Sequence, residues 1–431
     1  MRRHHGAVAV VAMLALTGSL AWPGDGEARV RDGFFGVSGI FPDKSLLGEL
    51  GVDCAVYGFY IGPNSTPGPE TRDTRQMRDL VAQGVTPIPA FFAPSVDPAV
   101  APRVAEIVRY YTTGEGVTYV GIPIRYWQIG NEPNWGWGTS CSPEEFARRV
   151  AIIGQGVRAA CPECVVLMGG LLDGQEMGDL ALEPYLERFL RAGGGEWIDV
   201  YNFHYYGVAR PTGAFGVQFY RTGEDILHRM RLVLDRFGYG DRPIWVSETS
   251  TFSGRMGDLV QSEEEQAADL VKRFVLLWQL GVEKAFWTYV TEPKYEGTGE
   301  GFFDQAGLVY DGFGPEDRGA GVKKRAFFAY RELIARLRGA VPAGIQTDQG
   351  VTVARFIVEA DTVVVLWQDP WERQGPLWIR ADKRIQVGDI YGTPLFEFEG
   401  IRSLNLGIEP VYLVGESIEI LLHAPPLSPS G

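Results

Sequence analysis

Between Gly33 and about Gly339 the chain repeats one device eight times, a short apolar run followed by a turn-bounded or helical stretch. The runs are "FFGVSGI" (34–40), "CAVYGFYIG" (54–62), "TPIPAFFAP" (86–94), "IRYWQIGNE" (124–132), "CVVLMGGLL" (164–172), "IDVYNFHYY" (198–206), "PIWVSETS" (243–250) and "KAFWTYVTE" (284–292). Their near-continuous apolar character suits parallel strands covered on both faces. Helical patterns lie between them. "SPEEFARRVAIIGQGVRAA" offers Ser142 as N-cap, Pro143 at the first helical position and Glu145 three residues after the cap. "SEEEQAADLVKRFVLLWQLG" repeats this with Ser262 and Glu265, and Gly281 closes it. Eight βα units of roughly 38 residues each predict an α/β chain folded as a (β/α)8 TIM barrel. A doubly wound open sheet is the rival, but no Gly-x-Gly-x-x-Gly follows the first run.

After "RGAVPAG" the helical period disappears. From Ile345 to His423 short strand-like runs alternate with turn residues, which predicts a small all-β sandwich. The expected division is a barrel at 30–340, a sandwich at 345–424 and a frayed tail at 425–431.

At the N-terminus two arginines precede an apolar run from Gly6 to Ala21, with small residues at Ser19 and Ala21. Residues 1–21 read as a secretory signal peptide, with a retained anchor as the alternative. No later run reaches the ~18 apolar residues of a spanning helix. A secreted chain that acts as a monomer with no obligate membrane partner is expected. The formal net charge of −14 argues against nucleic acid and anionic membrane surfaces. Export puts four cysteines in an oxidising setting. A helix between Cys141 and Cys161 would hold them about 27 Å apart, too far to bridge. Cys161 and Cys164 form a local disulfide or remain two thiols, and Cys54 reads as a buried thiol.

In such a barrel the chemistry belongs at the C-terminal ends of the strands. The fourth run ends in Asn131-Glu132-Pro133, the sixth in His204-Tyr205-Tyr206 and the seventh in Ser247-Glu248, while the eighth carries Trp287 and Tyr289. Glu132 and Glu248 are the two carboxylates that glycosidic cleavage needs. Pro133 is expected to hold Glu132 in extended backbone. Trp135 and Trp137 supply indole faces on which sugar rings stack. Glu292-Pro293 repeats the Glu-Pro step without the preceding asparagine, and Asp304 and Asp311 read as solvated.

The arrangement resembles the retaining glycoside hydrolases of clan A, xylosidase- and cellulase-like barrels with an acid/base glutamate after strand 4 and a nucleophile after strand 7. "WQIGNEPN" is similar to the clan's Asn-Glu-Pro signature and "PIWVSETS" to its seventh strand, 116 residues separating the two glutamates. "DIYGTPLF" and "GIEPVYLVG" look like parts of xylosidase-type C-terminal domains. The resemblance implies an oligosaccharide or polysaccharide substrate. It makes Glu132 the acid/base, Glu248 the nucleophile, Asn131 a contact to the sugar 2-hydroxyl, His204 or Tyr206 the group orienting the nucleophile, and Trp287 the floor of the cleaved subsite. Carboxylates about 5 Å apart cannot both ionise cheaply, so a negative nucleophile keeps its neighbour protonated. One departure stands out. Many clan members carry an arginine inside strand 2, where this chain has Ala55-Val56-Tyr57.

No cofactor and no metal are expected, since only His204 and His228 of the five histidines fall within the barrel. No Gly-x-Ser-x-Gly elbow is present. The alternative to an enzyme is a catalytically impaired barrel that only binds carbohydrate.

Overall fold

The computed structural model describes residues 33–39, 41–57, 66–92, 96–135, 141–211, 218–373 and 375–423. The segment expected to be a signal, the terminal tail and Trp137 lie outside them.

A strand starts in each of the eight apolar runs: β1 Phe35–Gly39, β2 Cys54–Tyr57, β3 Thr86–Phe91, β4 Tyr126–Ile129, β5 Val165–Met168, β6 Tyr201–Val208, β7 Ile244–Ser250 and β8 Lys284–Thr288. All pair in parallel, in the spatial order β5-β4-β3-β2-β1-β8-β7-β6. The fifth strand is split at Gly169-Gly170, and its second piece, Leu171–Leu172, pairs with β6. The sheet therefore closes on itself through that strand as a TIM barrel. Strand side chains alternate. Cys54, Val56, Ile88, Leu167, Val200, Trp245 and Phe286 form one apolar cluster inside the barrel. Their neighbours point outward into the core under helices α1 Ser45–Leu50, α2 Arg72–Ala82, α3 Val100–Thr112, α4 Pro143–Ala160, α5 Leu182–Arg191, α6 Thr222–Arg236, α7 Glu263–Gln279 and α8 Arg325–Leu337.

The caps form largely as the sequence suggests. Ser262 and Glu265 exchange both hydrogen bonds of a capping box at α7. At α4 Ser142 accepts from the Glu145 N–H, but the Glu145 carboxylate pairs with Arg149 instead of reaching back. Cys161 and Cys164 are bridged in the turn between α4 and β5, and Cys54 and Cys141 are free thiols.

The second sheet is antiparallel: β9 Val341–Asp348, β10 Val351–Val358, β11 Asp361–Gln368, β12 Leu377–Gly388, β13 Pro394–Leu404, β14 Val411–Gly415 and β15 Ile418–Leu421. Their order is β9-β10-β11-β14-β12-β13, with β15 on β12. Alternation divides β10 and β11 between two cores. Ala354, Phe356, Val363, Val365 and Trp367 join the barrel's core, while Val353, Val364 and Leu366 pack within the sandwich. The junction is also ionic. Buried Asp369 accepts from Lys272 at 3.0 Å, Arg221 at 2.9 Å and the Tyr220 hydroxyl at 2.9 Å. No helix among the described residues is long and apolar enough to cross a membrane.

Candidate active site

The C-terminal mouth of the barrel brings Glu132, His204, Tyr206 and Glu248 together. Two backbone irregularities make this possible. After β4 the chain turns through Gly130 at φ 74° and Glu132 at φ 42°. Glu132 thus adopts the left-handed region, not the extended backbone expected from Pro133. A non-glycine residue there is strained, and such strain tends to collect at functional sites. In β7 the register shifts by one residue against both neighbours, between Trp245 and Glu248 on the β6 side and between Val246 and Thr249 on the β8 side. This bulge lets two consecutive residues, Ser247 and Glu248, face the barrel mouth. Strict alternation would turn one of them away.

His204 sits at the centre and is fully buried. Its Nδ1 lies 2.9 Å from Glu132 Oε1 and 3.7 Å from Glu248 Oε2. Its Nε2 lies 2.8 Å from Ser247 Oγ. Glu248 Oε2 also accepts a hydrogen bond from the Tyr206 hydroxyl. Between Glu132 and Glu248, carboxylate oxygens approach within 4.8 Å. That spacing would let a cation bridge the trio, but both imidazole nitrogens and both glutamates already have protein partners.

Burial, the largest cause, lifts the Glu248 carboxyl above the usual carboxylate range; His204 opposes it, Glu132 adds to it, and the Tyr206 hydrogen bond opposes it. The shift thus falls on the carboxyl expected to remain the charged one. Burial works against the His204 imidazolium, while the charges of Glu248 and Glu132 and the bond to Glu132 favour it, with a net upward direction. Burial, followed by the two carboxylates, holds Tyr206 well above the ordinary phenol value, so it stays a donor.

The other expected residues divide. Asn131 is half-buried beside Glu132, and Trp135 is exposed and lines a cavity of about 570 Å³. His204, Tyr206, Met177, Glu176, Asp173 and Phe219 line the same cavity. Trp287 does not reach it. It is fully buried in the layer under the helices, and its Nε1 donates to the Ala306 carbonyl, so it cannot floor a subsite. Its place at the end of β8 is taken by Tyr289 at φ 68°, whose ring stands 6.1 Å from that of Phe303. Phe303 also meets Tyr206 at 4.9 Å and Tyr295 at 5.2 Å. Burial and then the charges of Glu132 and Glu248 push Tyr295 up to about 12.

Several residues that position the site were not expected to do so. Asp304 is buried, not solvated. It accepts backbone N–H bonds from Glu296, Thr298 and Gly299 and so organises the aromatic loop. Asn134 ties the loop after β4 to the Leu172 N–H and carbonyl and to the Leu180 carbonyl. Gly170 makes room for the imidazole, since a Cβ there would fall 2.0 Å from His204 Nε2. Where the clan's arginine would stand, Val56 faces the barrel core and Ala55 and Tyr57 face the helices. Glu248 is held by Tyr206 and His204 instead.

The chain matches no protein-family model and no curated protein by sequence. Its structure is similar to several solved ones. A family 39 glycoside hydrolase from Bacteroides cellulosilyticus WH2 superposes with a TM-score of 0.67 at 18% identity, over 89% of this chain and 80% of that one. A glucosidase from Croceicoccus marinus gives 0.63 at 16% identity, over 93% and 97%. The fold is the one these glycosidases share. An α-L-arabinofuranosidase from Thermotoga maritima extends the likeness, with a TM-score of 0.60 at 12% identity over 90% and 96%. These neighbours have a barrel with a sandwich, the architecture read from the sequence.

Proposed function

We propose that the chain is an exported, monomeric, retaining glycoside hydrolase of an oligosaccharide or polysaccharide, with its catalytic barrel at 30–340 and its sandwich at 345–424. One observation carries the reading. Two glutamates at the ends of β4 and β7 approach within 4.8 Å, which suits direct attack on the sugar, since a sugar and an attacking water would not both fit between them. Glu248 attacks the anomeric carbon as Glu132 gives its proton to the departing oxygen, forming a glycosyl ester and releasing the leaving alcohol. Water, deprotonated by Glu132, then attacks the same carbon and frees Glu248. Tyr206 steadies the Glu248 carboxylate, and Trp135 offers a stacking face on the cavity that His204 and Tyr206 line. The N-terminal segment 1–21 is the export signal.

Azide rescue on a panel of aryl glycosides tests the assignment. Glu132→Ala should slow substrates with poor leaving groups far more than activated ones, and azide should restore a product of retained configuration. Glu248→Ala should lower turnover on the order of 10⁴-fold or more and give the inverted azide. An inverted product from the unaltered enzyme would overturn the reading.

A further inference from the structure

Behind His204 runs a second line of hydrogen bonds that the proposed reaction does not use. Asn202 and Ser247 are both fully buried. The Ser247 N–H donates to Asn202 Oδ1 at 2.9 Å, which fixes the amide's orientation. Asn202 Nδ2 therefore faces Ser247 Oγ at 2.6 Å as a donor, and it also reaches the Met168 carbonyl at 3.3 Å. Ser247 Oγ already accepts one proton, so its own proton is free to point at His204 Nε2, 2.8 Å away. An Nε2 that accepts leaves the ring proton on Nδ1, which faces Glu132 and Glu248.

We propose that Asn202 and Ser247 are positioning residues that hold His204 as the neutral Nδ1–H tautomer between the two carboxylates. This deepens the glycosidase reading and rests on it for its functional consequence. Among the described residues, the groups facing the ring are Glu132 beyond β4, Gly170 in the break of β5, Tyr206 on β6 and Ser247 and Glu248 on β7; Tyr289 and Tyr295 approach the carboxylates from beyond β8. None of these is a permanent cation. The carboxylates alone draw the ring toward the imidazolium. An imidazolium needs an acceptor at Nε2, and Ser247 could become one only by turning its hydroxyl proton away from the ring. The relay thus opposes the carboxylates. A cation at that point would draw the proton off Glu132 and leave no acid for the departing oxygen.

Two variants separate this role from packing. Ser247→Ala removes the donor to Nε2. Asn202→Asp keeps the shape but presents an acceptor, so the Ser247 hydroxyl turns away from the ring. Histidine-labelled full-length protein, with the other four histidines assigned by substitution to Gln, reports the tautomer by ¹⁵N and ¹³C NMR without any substrate. The unaltered chain should show neutral Nδ1–H for His204 between about pH 6 and 8, and both variants should move toward Nε2–H or imidazolium. The acidic limb of kcat/KM should rise by about one pH unit in both, the shift one hydrogen bond is worth. Ser247→Thr, which keeps a hydroxyl, should restore it. A ring that is Nε2–H or imidazolium in the unaltered protein at pH 7, or a tautomer unchanged in both variants, would overturn the proposal. Absence of turnover in the unaltered chain would sink the glycosidase reading instead, and the NMR result would stand apart from it.

Discussion

Two Glu-Pro steps follow barrel strands, Glu132-Pro133 after β4 and Glu292-Pro293 after β8, and both glutamates are buried. Each lies in a cluster of three groups whose ligand atoms fall within 4.8 Å: Glu132 with His204 and Glu248, Glu292 with Asp311 and Asp317. Their partners differ. Glu292 pairs with Lys324, whose ammonium also donates to Ser253 Oγ at 3.0 Å and to the Gln305 carbonyl at 2.9 Å. All three ammonium protons are used, so that cation is fixed. Among the described residues, Glu132 has as its hydrogen-bond partner an imidazole whose proton can move. A dipeptide thus says little about the role of its carboxylate; the partner decides whether the charge is locked in the fold or available for chemistry.

Exchanging each carboxylate for its amide should split activity from stability. Glu132→Gln should lower turnover of unactivated substrates by about 10²- to 10⁴-fold, the usual worth of a general acid. It should leave the melting temperature unchanged or raised, since it removes one of two neighbouring like charges. Glu292→Gln should instead retain turnover and change how stability depends on pH, because the amide mimics the protonated acid that burial favours. If Glu292→Gln also abolished activity at full stability, the distinction between the two steps would collapse.

The second effect depends on pH. Burial pushes the Glu292 carboxyl up to about 7 from an ordinary 4.5, against the pull of Lys324. A raised acid binds its proton more tightly folded than unfolded. Its stabilising contribution is fully present below pH 4.5 and is lost as pH rises through about 7. The loss is at most about 3 kcal/mol. Chemical unfolding should show stability falling across this window in the unaltered chain, with a flatter slope in Glu292→Gln. Parallel slopes would mean that Glu292 is ionised throughout.

Which of these features the sequence could reveal follows from what periodicity measures. Apolar runs report burial over several residues, and all eight barrel strands start within them. β9 escaped because Val341–Asp348 is largely exposed and carries Pro342 and Gly344, so no apolar run marks it. That Glu132 and Glu248 meet at the barrel mouth was legible from position. The face a residue takes near a strand end was not, because bulges and left-handed turns break the alternation there. Trp287 was assigned to the cleft and lies under the helices, while Ser247 points inward beside Glu248. Asn202, His204 and Tyr206 keep the period of two along β6, so Asn202 could have been placed with them. Gly170 and Asp304 were hidden for another reason. Their roles consist of room for a ring and acceptors for loop N–H groups, both set by residues far along the chain.

The smallest effect expected is from chelation, and it tests both clusters together. Acidic groups converging within 4.8 Å invite a divalent ion when nothing else offsets their charge. Here each cluster holds its own donors. In the first, His204 Nδ1 meets Glu132 at 2.9 Å and the Tyr206 hydroxyl meets Glu248. In the second, Lys324 meets Glu292, Asp317 accepts from the Gly312 and Gly319 N–H groups, and Asp311 accepts from the Phe313 N–H. An ion would have to displace these partners and would gain few free lone pairs in return. EDTA should therefore leave both turnover and melting temperature unchanged. A fall in turnover that zinc or calcium reverses would place an ion at the Glu132 cluster, and a reversible fall in melting temperature alone would place it at Glu292. Either result would show that the internal donors do not suffice, and the contrast between a movable proton and a fixed cation would have to be redrawn around the ion.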